Sequence, residues 1–225
     1  MQLVIFDVDG TLVDSQDIIV AAQRDAFQAV GLPAPSRARS LSIVGLSLPE
    51  AFTALVGQHG PVAELSQAYK DAFGRLRADP NTVEALFPGA AAIVARLAAH
   101  DDVVLGIATG KSRRGVAYIL ERHGWQNHFV TIQTADDAPS KPDPTMLRQA
   151  LAETGILAKD AIMVGDTSYD MDMAQRAGIL PIGVSWGYHP FDALKKAGAV
   201  AIIDSFDELK PLLLGHAERQ VLADV

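Results

Sequence analysis

The stretch LVIFDVDGTLVDS, Leu3 to Ser15, decides how the rest of this chain is read. Leu3 to Phe6 is a short, unbroken apolar run. A strand without polar alternation is one buried on both faces, as in a parallel sheet covered by helices. The run ends in two carboxylates, Asp7 and Asp9, followed directly by Gly10. Charge at the end of a buried strand is costly unless it is solvated, paired or bound to a cation. The C-terminal edge of a parallel sheet is also where α/β folds place their chemistry. Asp7 and Asp9 are therefore the first candidate site residues, and a bound cation would include them.

Downstream, the apolar spacing changes from strand to helix. Ile18, Ile19, Ala22, Ala26, Phe27 and Val30 fall on one helical face, which Gly31-Leu-Pro33 stops. Residues 34–47 read as a looser segment containing Arg37 and Arg39. Ser47-Leu-Pro49-Glu50 reads as a helix start, with Ser47 as the cap and Pro49 in the first turn. A further helical stretch covers Val62 to Leu76, so residues 15–82 form a helical insertion with no convincing strand. Residues 78–89, with Pro80 and Pro88, form the return linker. Strands then alternate with helices: Val103 to Thr109, Phe129 to Thr134, Ala161 to Val164, Ile182 to Ser185 and Val200 to Ile203 are strands. A final helix is expected over Phe206 to Leu214, followed by a frayed helix or tail from Gly215. This alternation is the signature of an α/β fold with a parallel sheet. The expected division is residues 1–14 plus 83–225 as the sheet core and 15–82 as a cap. Because the insertion leaves just after Asp7 and Asp9, it is placed to cover that strand end.

Composition narrows the function. With 225 residues, 49% hydrophobic, the chain has ample material for a core. A formal net charge of −8 disfavours nucleic acid or an anionic membrane as the main partner. Absence of Cys rules out thiolate nucleophiles and cysteine-held metals. No apolar run approaches the roughly 18 residues of a membrane span, and no basic or signal-like stretch precedes Leu3. A cytoplasmic protein, monomer or homodimer, is expected.

Three further strand ends carry polar groups. Thr109-Gly110-Lys111-Ser112 offers a hydroxyl and turn N–H groups that suit a phosphoryl group; a plain helix cap and turn would also account for it. Lys141-Pro142-Asp143-Pro144 fixes a lysine in a stiff loop. Asp166 and Asp170 follow an apolar strand at helical spacing, so they share a face if Asp170 lies in the first turn. Acidic strand ends in one sheet suit a hard cation such as Mg2+. His189, in the loop after a strand, and Arg37 and Arg39, in the insertion, are candidate specificity residues. Lys111, Arg113 and Arg114 form a local basic cluster beside the Thr109 turn.

Taken in order, Asp7-Val-Asp9-Gly10-Thr11-Leu12, Thr109-Gly110, Lys141-Pro142-Asp143-Pro144 and Gly165-Asp166-Thr167-Ser168-Tyr169-Asp170 resemble the motifs of haloacid-dehalogenase-superfamily phosphatases. The resemblance extends over nearly the whole chain and points to the phosphoglycolate-phosphatase-like group with a helical cap. It implies a Rossmann-like parallel sheet core and hydrolysis of a small phosphorylated metabolite, phosphoglycolate first. It implies Asp7 as the nucleophile that becomes an aspartyl phosphate and Asp9 as general acid/base. Mg2+ would be held by Asp7, Asp166 and Asp170 with the Asp9 carbonyl, and the phosphoryl group by Thr109, Gly110 and Lys141. Asp9 argues against a dehalogenase, because a departing halide needs no proton. A phosphonate-cleaving relative would need a Schiff-base lysine in the cap, where only Lys70 occurs. A sugar-phosphate mutase shares all four motifs, but the arginine usual after its Val-Gly pair is absent after Val44-Gly45. Pyrophosphatases share this type of cap, and a silent binding module is the alternative outside enzymes.

Overall fold

The computed structural model describes residues 1–209, so the tail expected from Gly215 and most of the helix expected to Leu214 lie outside it. β1 (Gln2–Phe6) is the third strand of a six-stranded sheet. Its neighbours are β4 (Val103–Ala108) and β6 (Ala161–Gly165), both parallel to it. β5 (Phe129–Gln133) lies beyond β4, while β7 (Leu180–Val184) and β8 (Ala201–Ile203) lie beyond β6, giving the order β5-β4-β1-β6-β7-β8. The chain builds one side of β1 and then the other, so the topological switch, where open α/β sheets bind ligands, falls at the end of β1.

Side chains on β1 alternate between the faces of the sheet. Val4 and Phe6 pack in one cluster with Ile93 and Val94 of α5 (Ala90–Ala98) and Val116 and Ile119 of α6 (Arg113–His123). Leu3 and Ile5 pack in the other with Met146 and Leu147 of α7 (Thr145–Thr154) and Met173 of α8 (Ser168–Ala177). All four β1 side chains are fully buried. At about 1.5–3 kcal/mol each, their burial is a large share of what fixes the strand that carries the acidic pair. α9 (Phe191–Lys196) completes the core helices.

Between β1 and α5 the chain forms α1 (Gln16–Ala29), α2 (Arg37–Leu41), α3 (Leu48–Val56) and α4 (Val62–Ala78). Ala26 and Phe27 of α1 meet Phe52 of α3 and Leu65 of α4 in a separate apolar cluster. Three details differ from the expected pattern. Residues 34–47 contain α2, whose N-cap Ser36 accepts from Arg39 N–H; five residues are too few to show a period. The exit and return of the insertion pair as a two-stranded antiparallel ribbon, β2 (Val13–Asp14) with β3 (Ala85–Leu86). Two-residue strands carry no alternation signal. α8 begins at Ser168, one turn before the apolar residues that mark it.

Candidate active site

Asp7, Asp166 and Asp170 meet at the C-terminal edge of the sheet, all at most 1% exposed, with one carboxylate oxygen from each within 4.8 Å of the others. β1 and β6 are adjacent, and this register brings Asp7 and Asp166 together. Asp170 arrives from the first turn of α8, where it forms a capping box with Thr167: its Oδ2 accepts from Thr167 N–H (3.0 Å) and Oγ1 (2.6 Å). Asp166 Oδ1 accepts from Thr11 Oγ1 at 3.0 Å, and Oδ2 from Tyr188 N–H at 2.9 Å. Gly10 makes this packing possible. Its φ is +87°, and a Cβ there would stand 2.2 Å from Asp166 Oδ2.

Lys141 reaches into the triad and is itself 1% exposed. Its Nζ donates to Asp170 Oδ1 at 2.6 Å and stands 3.0 Å from Asp7 Oδ2. The second approach has an ion-pair distance without hydrogen-bond geometry, which leaves Asp7 Oδ2 a buried acceptor with no hydrogen-bond partner. Three carboxylates and one ammonium carry a formal charge of −2. Burial, opposed by Lys141 and reinforced by Asp170, pushes the Asp7 carboxyl up to about 6. Burial and the neighbouring Asp7 and Asp170 raise Asp166 well above the usual carboxylate range. Burial works against a charged Lys141, but Asp170 and Asp7 overcome it and raise its pKa. An oxygen-only donor set with an orphaned buried oxygen and uncompensated negative charge fits a small divalent cation such as Mg2+.

Asp9 stands apart from this triad. Its Oδ1 accepts from Ser15 Oγ at 2.7 Å, and Lys111 Nζ grips both its oxygens, at 2.7 and 2.9 Å. Lys111 also lies 3.8 Å from Glu84, which Arg77 holds with two bonds of 2.6 and 2.7 Å. Thr109 is buried at the end of β4, its hydroxyl accepting from Lys111 N–H at 3.3 Å. A cavity of about 1010 Å³ opens over Asp7, Asp9 and Thr109, walled on the cap side by Tyr69 and Phe73.

The cap segment 42–47 is fastened above the sheet edge. Tyr169 Oη and His189 Nε2 both reach the Ser42 carbonyl, at 3.1 and 3.2 Å, and Ser47 N–H donates to Ser140 Oγ at 2.8 Å. Ser168 N–H donates to His189 Nδ1 at 3.1 Å, so the ring proton sits on Nε2, facing Ser42.

The structure thus brings Asp7, Asp9, Thr109, Gly110, Lys141, Asp166 and Asp170 to one place. It does not bring Arg37 or Arg39 there. Arg37 is exposed and pairs with Asp17 (2.7 Å) and Gln16 (2.7 Å), while Arg39 donates to the Ala54 carbonyl at 2.6 Å. Neither lines the cavity, because each is tied to the cap's own surface, Arg37 to α1 and Arg39 to the Ala54 carbonyl of α3. His189 is near the triad but fastens the cap and does not line the cavity. The contacts that spacing did not predict are Lys111 on Asp9, the Arg77–Glu84 pair, and Thr11 on Asp166. The basic cluster at Lys111 was the one visible hint; Arg77 lies in the last turn of α4 and Glu84 within the return linker, where no period relates them.

Residues 4–184 match the haloacid dehalogenase-like hydrolase family. Over 92% of this chain and 91% of the relative, the sequence is 36% identical to "Probable phosphatase IndB" of Dickeya dadantii. It is 33% identical to the tyrosine-protein kinase PtkA of Mycobacterium tuberculosis, covering 94% of this chain and 72% of that one. It is 32% identical to a phosphoglycolate phosphatase of Yersinia pestis, covering 93% and 92%. Among solved structures, one described as a predicted phosphatase from Clostridium acetobutylicum superposes with a TM-score of 0.84 at 27% identity, over 95% of this chain and 98% of that one. With the acidic triad, the buried lysine and the sheet order in place, the chain belongs to the haloacid dehalogenase-like hydrolase family.

Proposed function

We infer that this protein is an Mg2+-dependent phosphatase that cleaves a small phosphoric monoester through an aspartyl phosphate on Asp7. The observation that carries the reading is the composition of the buried cluster: Asp7, Asp166 and Asp170 with Lys141, a site in net deficit of two positive charges. Asp7, Asp166 and Asp170 are the side chains that would hold the cation, which would supply charge neutralisation for an incoming phosphate.

The chain's own residues account for the remaining steps. Asp7, pushed up to about 6, is still mainly ionised at neutral pH and serves as the nucleophile. A bond forms from an Asp7 oxygen to phosphorus as the ester P–O bond breaks and its electron pair stays with the leaving oxygen. Asp9 delivers the proton that oxygen needs. Thr109 and Lys141 neutralise and orient the phosphoryl oxygens during transfer. Asp9 then takes a proton from water as the water oxygen attacks phosphorus, and the Asp7–O–P link breaks to release phosphate. The docked cap excludes bulk water during the first transfer, and its opening lets the alcohol leave and the attacking water enter.

Phosphoglycolate is the first candidate substrate, because similar proteins carry that name. The cavity of about 1010 Å³ also has room for leaving groups larger than a two-carbon acid. The test is release of inorganic phosphate from a panel of phosphoglycolate, sugar phosphates, nucleoside monophosphates and pyrophosphate, with Mg2+ or EDTA. Mg2+-dependent release from a monoester is expected, abolished by Asp7→Asn. Isomerised sugar phosphate without release would establish a mutase, and phosphate transferred from ATP to a peptide tyrosine would establish a kinase. Either result would replace this reading.

A further inference from the structure

We propose that Lys111 is the positioning residue for Asp9, and that Arg77 and Glu84 hold it in that role from the cap hinge. The proposal rests on the phosphatase reading above and adds a residue to it. Lys111 Nζ is 2.7 Å from Asp9 Oδ1 and 2.9 Å from Oδ2, a two-point contact that fixes the carboxylate plane where a single hydrogen bond would let it turn. Ser15 Oγ adds a third contact at 2.7 Å. The Lys111 side chain is 7% exposed, and its other anionic neighbour, Glu84, has Oε1 3.8 Å from the ammonium and a side chain 3% exposed. Glu84 is in turn clamped by Arg77 of α4, whose guanidinium packs 4.6 Å from the Phe73 ring centre and 4.3 Å from that of Tyr118. The path Arg77–Glu84–Lys111–Asp9 therefore joins the end of the last cap helix to the proton-transferring carboxylate. Each of its carboxylates faces a cation, so no buried charge is left uncompensated.

A second feature points the same way. Lys111 precedes α6 by two residues and its side chain runs beside the helix's first turn, where a Cβ on Gly115 would stand 2.8 Å from its Cγ and 3.2 Å from its Cε. Glycine inside a helix costs roughly 0.5–1 kcal/mol relative to alanine. Here it leaves the channel through which the lysine stem reaches Asp9.

The proton from Asp9 matters in proportion to how poor the leaving group is. A nitrophenolate departs unprotonated, whereas an alkoxide must take a proton as the P–O bond breaks. The experiment compares glycerol 2-phosphate with p-nitrophenyl phosphate on purified full-length protein with Mg2+. Lys111→Met is expected to lower kcat on the alkyl ester on the order of 100-fold, with a loss on the aryl ester about tenfold smaller. Lys111→Arg should recover part of the alkyl activity. Gly115→Ala should melt no lower than wild type yet show the same alkyl-selective loss in milder form. Equal losses on both esters, or a rise in KM at constant kcat, would overturn the proposal, as would a wild type active only on the aryl ester. A wild type inert to both esters and to the whole metabolite panel above would overturn the phosphatase reading, and the proposal with it.

Discussion

Gly110 meets the carbonyl of Gly45 with no space for a side chain: a Cβ on Gly110 would stand 2.4 Å from Gly45 O and 2.8 Å from Leu46 O. The obstacle is backbone on both sides, so a rotamer change cannot relieve it. Gly110 belongs to the turn after β4 and Gly45 to the cap, and their contact sets how closely the cap seats over Asp7 and Asp9. Gly110→Ala must therefore lift residues 45–46 away from the site. The expected result is a fall in kcat/KM of about tenfold or more, since small misplacements of a closing element are costly to catalysis, with little change in melting temperature. Wild-type kinetics in this variant would show that the contact does not govern the closed site.

Asp7 is held at a cost to stability, and the sign of that cost is measurable. Its pKa rises from 3.8 to about 6 on folding, chiefly through burial. Between those values the folded chain binds a proton that the unfolded chain does not, so this group's contribution falls as pH rises through that window. Above about pH 6 the full penalty applies. Asp7→Asn, measured without divalent cation, should therefore melt higher than wild type at pH 7, with the gap closing near pH 4. It should also have no detectable turnover. A variant that melts lower than wild type at pH 7 would mean that Asp7 is not the strained member of the triad.

Lys141 offsets the negative charge of the same triad, so its loss acts in the opposite sense. Lys141→Met keeps an unbranched stem of similar length but leaves Asp7 and Asp170 facing each other without the ammonium. Breaking a buried pair by removing one partner costs about 3–5 kcal/mol. Urea unfolding at pH 7 should show a loss of that order. Adding Asp7→Asn to Lys141→Met should return part of it, because the two residues share one network and their effects do not add. Strict additivity in this double-mutant cycle would contradict the 3.0 Å ion pair between them.

How much of this was legible in the sequence follows from the range of each interaction. The strands and the acidic residues at their ends were readable because hydrophobic runs and local spacing encode them: Leu3 to Phe6, Ala161 to Val164, and the Asp166–Asp170 pair. Parallel pairing of β1 with β6 then places Asp7 beside Asp166 without further information. Arg37 and Arg39 are the counterexample. Their charge was visible, but the direction in which α2 faces depends on how it packs against α1, and that packing turns both outward. Lys111, Glu84 and Arg77 lie in three separate segments, so their network exists only after the cap has folded back onto the core. The β2–β3 ribbon was hidden for the same reason. It is two residues long on each side, and residues more than seventy positions apart specify it.

Metal binding should separate Asp166 from Asp170. Asp170 already has three protein donors: Lys141 on Oδ1, and Thr167 N–H and Oγ1 on Oδ2. Asp166 has one donor on each oxygen and a strongly raised pKa, so it is the carboxylate with most to gain from a cation. Mg2+ should raise the melting temperature of the wild type more at pH 7.5 than at pH 5.5, because protons held by Asp7 and Asp166 compete with the cation at the lower value. Asp166→Asn should abolish that Mg2+ shift. Asp170→Asn should keep part of it while lowering the metal-free melting temperature, since it weakens both the α8 capping box and the bond from Lys141. Differential scanning fluorimetry of the three proteins over a Mg2+ series at both pH values reads all of these effects. If Asp170→Asn alone erased the Mg2+ shift, the direct ligand would be Asp170, with Asp166 left to position it.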